Sequence, residues 1–305
     1  MKILVATEKP FASAAVKGIQ KTAQEAGHEV VLLEKYTDKA QLLEAVKDVD
    51  ALIVRSDKVT KEVLDAAQKL QIVVRAGAGY DAIDCDYAKQ KGVIVENTPG
   101  QNANAVAEME FGLLVYMVRN NYNGTSGTEL KGLRIGILAF GNVGRNVARI
   151  AQGFGMEVYA FDPYCPSSAM EAVGVHACES QEALFKACDI VSLHTPATPE
   201  TVGSIGRDLV ALMPEKAILV NTSRKEIIDE KALLGLLEER QDLRFITDIK
   251  PDLDEDFRKF GPRYFSTPKK MGAQTAEANI NAGIAAARQI VSFFATGDTK
   301  FRVNK

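Results

Sequence analysis

The chain has 305 residues, a length suited to two domains, and 46% hydrophobic residues, enough to fill real cores. A formal net charge of −3 argues against nucleic acid as the main partner, and no apolar run reaches the roughly 18 residues of a membrane span. Cys85, Cys165, Cys178 and Cys188 lack metal-ligand spacing and read as reduced thiols of a cytoplasmic protein, with no metal expected.

The amino terminus enters as a strand, Lys2-Ile3-Leu4-Val5-Ala6-Thr7, and not as a secretory leader. Strands are predicted at residues 3–6, 30–33, 51–55, 72–75 and 93–97, with helical patterns such as 12–25 and 61–69 between them. Alternation of this kind, with Val/Ile runs in the strands, predicts a parallel sheet covered on both faces. The pattern breaks at Thr98-Pro99-Gly100, and a helix over 102–120 follows. It is too apolar for a free surface helix, which suggests packing between domains or subunits and hence a homodimer.

Residues 132–162 read as a strand, a tight turn, an amphipathic helix, a second strand and a terminal acidic residue. Gly141 and Gly144 stand where the second and third glycines of a G-x-G-x-x-G dinucleotide loop belong, while Ala139 replaces the first. The helix starting at Asn142-Val143 offers free N–H groups and a partial positive charge to a pyrophosphate. Asp162, followed by Pro163, lies 18 residues after Gly144, where a carboxylate accepts from a ribose 2′-OH. That favours NAD over NADP, whose 2′-phosphate Asp162 would repel.

Further strands are predicted at 190–194, 218–221 and 245–248, and the acidic segment 252–256 reads as a solvated loop. After Thr267-Pro268 come a second apolar helix, 276–295, and a short strand, 301–304. These return the chain to the first domain, giving a discontinuous substrate domain, 1–98 plus 279–305, and an inserted NAD domain, 99–278. Ligands of parallel sheets bind at the carboxyl ends of strands. Four such ends carry polar or glycine-rich sequence: Arg55-Ser56-Asp57-Lys58, Arg75-Ala76-Gly77-Ala78-Gly79-Tyr80-Asp81, His194-Thr195-Pro196 and Asn221-Thr222-Ser223-Arg224.

These ends, with Asn97-Thr98-Pro99-Gly100, Ala107-Glu108 and Asp229-Glu230, occur in the order of the D-2-hydroxyacid dehydrogenases. The chain resembles that family over nearly its whole length, and most of all its members that act on 3-phosphoglycerate, in a short form without carboxyl-terminal regulatory domains. The resemblance implies an α/β protein of two doubly wound parallel-sheet domains, a flavodoxin-like substrate domain and an inserted Rossmann NAD-binding domain. It implies that Arg224 grips the substrate carboxylate and polarises the C2 oxygen, a task suited to a planar guanidinium fork. The amides of Ala78 and Gly79 would face the same carboxylate, and Arg55, Ser56 and Arg75 would bind a phosphate. Thr195 and Pro196 would line the cofactor groove, with His194 structural or near the cofactor, and Asp248 would lie near the nicotinamide carboxamide.

One departure stands out. The family places a histidine after a late Thr-Pro and a glutamate after the aspartate strand, yet no histidine follows His194 and the glutamate position falls near Leu253. In Thr267-Pro268-Lys269-Lys270-Met271-Gly272-Ala273-Gln274-Thr275-Ala276-Glu277, counting back from Gly272, Thr275 and Glu277 puts Lys270 at the histidine position. Counting forward from Pro268 would choose Lys269 instead. Some phosphoglycerate-oxidising members resemble this chain in carrying lysine there. A lysine's reference pKa is near 10.4, and desolvation plus a neighbouring Arg224 would lower it toward acid–base use. The expected activity is NAD-dependent oxidation of 3-phosphoglycerate to 3-phosphohydroxypyruvate, the entry to serine synthesis, with a small phosphorylated hydroxy acid as partner and no membrane or nucleic acid. The alternatives are a glyoxylate/hydroxypyruvate-type reductase and a non-catalytic NAD-sensing protein.

Overall fold

Short apolar runs separated by helical stretches form parallel strands throughout the chain. In the computed structural model, which describes residues 1–305, they assemble into two units, one of Met1–Asn102 with Gln274–Lys305 and one of Ala103–Ala273. No helix is long and apolar enough to cross a membrane.

The first unit runs β1 (Lys2–Thr7), α1 (Ser13–Glu25), β2 (Glu29–Glu34), α2 (Lys39–Ala45), β3 (Ala51–Val54), α3 (Lys61–Ala66), β4 (Ile72–Arg75), α4 (Cys85–Gln90), β5 (Ile94–Asn97). Its sheet has the flavodoxin-like order β2-β1-β3-β4-β5. Successive side chains of a strand point to opposite faces. Leu4, Leu52, Val54 and Val73 therefore enter one core cluster, and Ile3, Val5, Ile53 and Val74 the other. Burial on both sides is why the central strands read as unbroken apolar runs.

The second unit runs α5 (Ala103–Val118), β6 (Arg134–Leu138), α6 (Asn142–Gly153), β7 (Glu157–Phe161), α7 (Ser167–Glu171), β8 (His176–Ala177), α8 (Gln181–Ala187) and β9 (Ile190–Leu193). It continues through α9 (Arg207–Val210), β10 (Ile218–Asn221), α10 (Glu230–Glu239), β11 (Arg244–Thr247), α11 (Asp254–Arg258) and β12 (Tyr264–Ser266). The seven strands lie in the order β12-β11-β10-β9-β6-β7-β8, a Rossmann arrangement whose direction of winding reverses between β6 and β9. The chain returns to the first unit through α12 (Ala276–Thr296), which packs on α1. Thr275 caps its start by accepting from Ala278 N–H at 3.1 Å, and Gly297, at φ 72°, ends it in the left-handed conformation.

Three expectations need correction. Residues 252–256 are not a solvated loop, because Asp254 opens α11 and is buried, with Tyr264 Oη donating to it at 2.7 Å and Arg258 paired to it at 2.9 Å. Residues 301–304 form no strand, only a single antiparallel bridge between Arg302 and Glu96, after which the Asn304 side chain bonds to the main chain of Val93 and Val95. The helix expected over 61–69 ends at Ala66. Along α5, Phe111, Leu114, Met117 and Val118 join one core cluster with Ile135, Val147 and Ile190, while Met109, Val115 and Tyr116 stay partly exposed.

Candidate functional site

The glycine turn of the second unit connects β6 to α6. Ala139, where the first glycine was missing, has φ 76°, a left-handed conformation that costs an alanine roughly 1–2 kcal/mol. The chain therefore makes the glycine-type turn without the glycine. Gly144 is needed for close approach, since a Cβ there would come within 2.5 Å of the Ala139 carbonyl oxygen. Gly141 is the N-cap of α6, and a Cβ there would meet open space. With no capping side chain, the amides at Asn142 and Val143 begin the helix facing that space, the arrangement that receives a phosphate.

Beside this turn lies a cavity of about 490 Å³ lined by Gly141, Asp162, Pro163, His194, Thr195 and Pro196, among others. Asp162 is fixed at the end of β7, where its carboxylate accepts from Phe140 N–H and Tyr164 N–H, each at 2.8 Å. A carboxylate has lone pairs to spare for a ribose hydroxyl. The hydroxyl of Thr195 is buried without a hydrogen-bond partner, as a group awaiting a polar ligand would be. Uncapped amides, a fixed acid and an orphaned hydroxyl around one cavity fit NAD. Purified protein should therefore prefer NAD to NADP by at least about tenfold in kcat/KM, since one ribose contact plus phosphate repulsion exceeds about 1.4 kcal/mol. Asp162→Ala should narrow the preference, and equal use of both cofactors by the unmodified chain would refute the role given to Asp162.

At the ends of β10 and β11 the same unit gathers its cations. Asn221 holds the turn after β10, its amide accepting from Ser223 N–H at 3.0 Å and donating to the Arg224 carbonyl at 2.8 Å. The Arg224 guanidinium donates to the Ser223 carbonyl at 3.0 Å, and the Lys270 amine donates to the same oxygen. Two cations thus share one acceptor. Lys270 is an exposed residue whose amine reaches that carbonyl. Loss of water around it, and next the charge of Arg224, bring its pKa down to about 8. Lys269 faces solvent, and its carbonyl accepts from Thr267 Oγ1 at 3.0 Å.

Asp248 is fully buried and builds the turn that presents Lys270. Its carboxylate accepts from Thr267 Oγ1 at 3.0 Å, Met271 N–H at 3.1 Å and Gly272 N–H at 2.6 Å. A Cβ on Gly272 would come 2.8 Å from that carboxylate. The carboxylate expected near the cofactor also anchors the lysine turn.

Sequence reasoning missed a buried polar cluster in this unit. Glu110 of α5 is fully buried among the apolar side chains of the helix. Thr222 Oγ1 donates to its carboxyl at 3.2 Å, and His194 Nε2 lies 3.5 Å away. His194 Nε2 is also 2.8 Å from Ser192 Oγ. Burial pushes Glu110 up to about 7 and His194 down to about 3. The signal was present in the heptad-like run Val106, Ala107, Glu110, Phe111, Leu114, where an acid occupies the buried stripe.

In the first unit the strand ends carry the other named residues. Arg75, the last residue of β4, donates from Nε to the Arg55 carbonyl at 2.9 Å. Its guanidinium lies over Gly77, where a Cβ would come 1.5 Å from Nη1. Gly77 has φ 148°, so only glycine suits both demands. Asn97 Nδ2 donates to the Ala78 carbonyl at 2.6 Å, which fixes the Ala78-Gly79 turn. Beside Arg55 and exposed Ser56, Asp57 is buried and accepts from Glu8 N–H at 2.7 Å, Tyr36 Oη at 2.9 Å and Ser56 N–H at 3.2 Å. It shapes the loop that carries Arg55, a role its sequence neighbours gave no sign of.

Residues 105–256 match the family described as D-isomer specific 2-hydroxyacid dehydrogenase, NAD binding domain. Among curated proteins, the chain is 38% identical over 271 residues to the D-3-phosphoglycerate dehydrogenase of Methanocaldococcus jannaschii, covering 83% of this chain and 51% of that protein. It is 36% identical over 275 residues to the hydroxypyruvate reductase of Thermotoga maritima, covering 84% and 88%. The chain spans about half the length of the curated phosphoglycerate dehydrogenases it matches, such as the Methanocaldococcus and pig proteins. Among solved structures, the NAD+-bound 3-phosphoglycerate dehydrogenase of Entamoeba histolytica aligns with TM-score 0.87 and 46% identity, covering 100% of this chain and 99% of that one.

Proposed function

The chain belongs to the D-2-hydroxyacid dehydrogenases, and from that premise we propose that it oxidises 3-phosphoglycerate to 3-phosphohydroxypyruvate with NAD. The observation that carries this reading is the convergence of Arg224 and Lys270 on the Ser223 carbonyl, with Lys270 held near 8. NAD, when bound, supplies the hydride acceptor. Arg224 grips the substrate carboxylate with its planar fork and polarises the C2 oxygen. Neutral Lys270 takes the C2 hydroxyl proton as the C2 hydrogen leaves with its electron pair, and in reduction charged Lys270 returns a proton to the keto oxygen. Asp248 keeps the lysine turn in place through the Met271 and Gly272 amides.

In the first unit, Arg55, Ser56 and Arg75 are the phosphate ligands of this reading. Arg75→Ala should weaken use of 3-phosphoglycerate by about tenfold or more while leaving residual glycerate use nearly unchanged, since one charge-assisted contact is worth about 1.5–3 kcal/mol. Equal losses on both substrates would make the arginine structural. The Thermotoga relative supports a second reading, a hydroxypyruvate-type reductase. Turnover of 3-phosphoglycerate with NAD, measured against glycerate, lactate and glyoxylate with NADH, separates the two. The homodimer expected from the sequence remains part of this reading. A species of twice the chain mass in light scattering at micromolar concentration would sustain it, and a monomer would end it.

A further inference from the structure

The Glu110 cluster has no part in the chemistry above, yet it joins the two loops that chemistry uses. Through Thr222 it holds the turn after β10, which carries Arg224. Through Ser192 and His194 it meets the end of β9, whose continuation, Thr195-Pro196, lines the cofactor cavity. One of its carboxyl oxygens is buried without a partner. A polar group so placed is costly unless it acts on something.

The surrounding charges leave Glu110 to titrate on its own. His194 faces it from the end of β9 and is held neutral by burial. On α6, packed against α5, Arg149 donates to Asn104 and Arg145 lies over the Phe140 ring, 4.7 Å from its centre. At the end of β11, Asp248 is taken up by Thr267, Met271 and Gly272, and beyond β10 Arg224 and Lys270 turn to the Ser223 carbonyl. No cation is paired with the Glu110 carboxyl.

We propose that Glu110 is a positioning residue of the cofactor site: it ties the cofactor loop to the arginine loop, and its charge sets the relative affinity for NAD+ and NADH. The inference rests on the second unit holding NAD and not on the identity of the hydroxy acid. The sign follows from Coulomb's law. NAD+ carries one more positive charge than NADH, so ionised Glu110 favours NAD+ and neutral Glu110 favours NADH. Because Glu110 titrates near 7, the preference should change across neutral pH.

The test is equilibrium binding of NAD+ and of NADH by calorimetry at pH 6 and pH 8, with no substrate present. For the unmodified chain, Kd(NAD+)/Kd(NADH) should fall about three- to tenfold from pH 6 to pH 8. Glu110→Gln, which keeps an acceptor for Thr222 but cannot ionise, should abolish the change. Lys270 also loses its charge near pH 8, so Lys270→Met is the control, and the change should persist in it. A ratio independent of pH in the unmodified chain, or a change that survives Glu110→Gln and vanishes in Lys270→Met, would overturn the proposal. If Glu110→Gln does not fold, the unmodified chain still decides. Calorimetry in buffers of different ionisation heat should show that NADH binding takes up more protons than NAD+ binding, with the difference greatest near pH 7. A maximum near pH 8, or none, would overturn it. Failure to turn over 3-phosphoglycerate would leave these binding results intact, so the two readings fail separately.

Discussion

Replacing Lys270 by Met should lower kcat for oxidation by about 10² or more, the scale of one general acid–base group, with NADH binding kept within about twofold. Only the neutral amine accepts the hydroxyl proton, so the unmodified chain's oxidation rate should rise with pH through about 8. Reduction needs the charged form and should fall over the same range. Lys269→Met should change little, because that residue faces solvent and takes part through its carbonyl. Unchanged kcat and pH profile in Lys270→Met would remove the lysine from the chemistry. A loss of activity in Lys269→Met alone would transfer the role to its neighbour.

Arg224→Ala should lower kcat/KM for the hydroxy acid by about 10²–10³, the range for removing one preorganised donor from a developing oxyanion. Arg224→Lys should recover little, since an ammonium lacks the planar fork. A second signature distinguishes this arginine from a mere binding charge. Its positive charge is one cause of the low Lys270 pKa, so residual oxidation by Arg224→Ala should require higher pH than the unmodified chain does. An unshifted midpoint would mean that the two cations do not feel each other.

Both sheets were legible because strands buried on two faces must be continuously apolar, as Ile3–Ala6 and Ile218–Val220 are. The dinucleotide turn was legible from Gly141, Gly144 and Asp162, although the missing first glycine gave no hint that Ala139 would take a left-handed conformation unaided. What α5 packs against was not legible, because composition reports that a face is apolar and not which surface covers it. The choice between the two adjacent lysines came from counting back from Gly272, Thr275 and Glu277, while the bonding that holds Lys270 did not show in the residues. It depends on how Asp248 gathers the amides of Met271 and Gly272, a bond pattern that the sequence does not write down. Asp254 looked like a surface acid, since it lies among charged neighbours and is buried by the Tyr264 hydroxyl and the Arg258 guanidinium.

The first unit is built from two stretches of chain separated by the whole of the second. Ala282, Ala286, Ala287 and Ile290 of α12 supply part of the cover for Ile3, Val5, Ile53 and Val74. During synthesis those strand residues leave the ribosome long before their cover does. The second unit has every residue it needs to fold in the meantime. A nascent chain should therefore pass through a stage with one finished Rossmann half and one sheet face bare to water or to a chaperone. A stop codon or frameshift that removes α12 would strand it there.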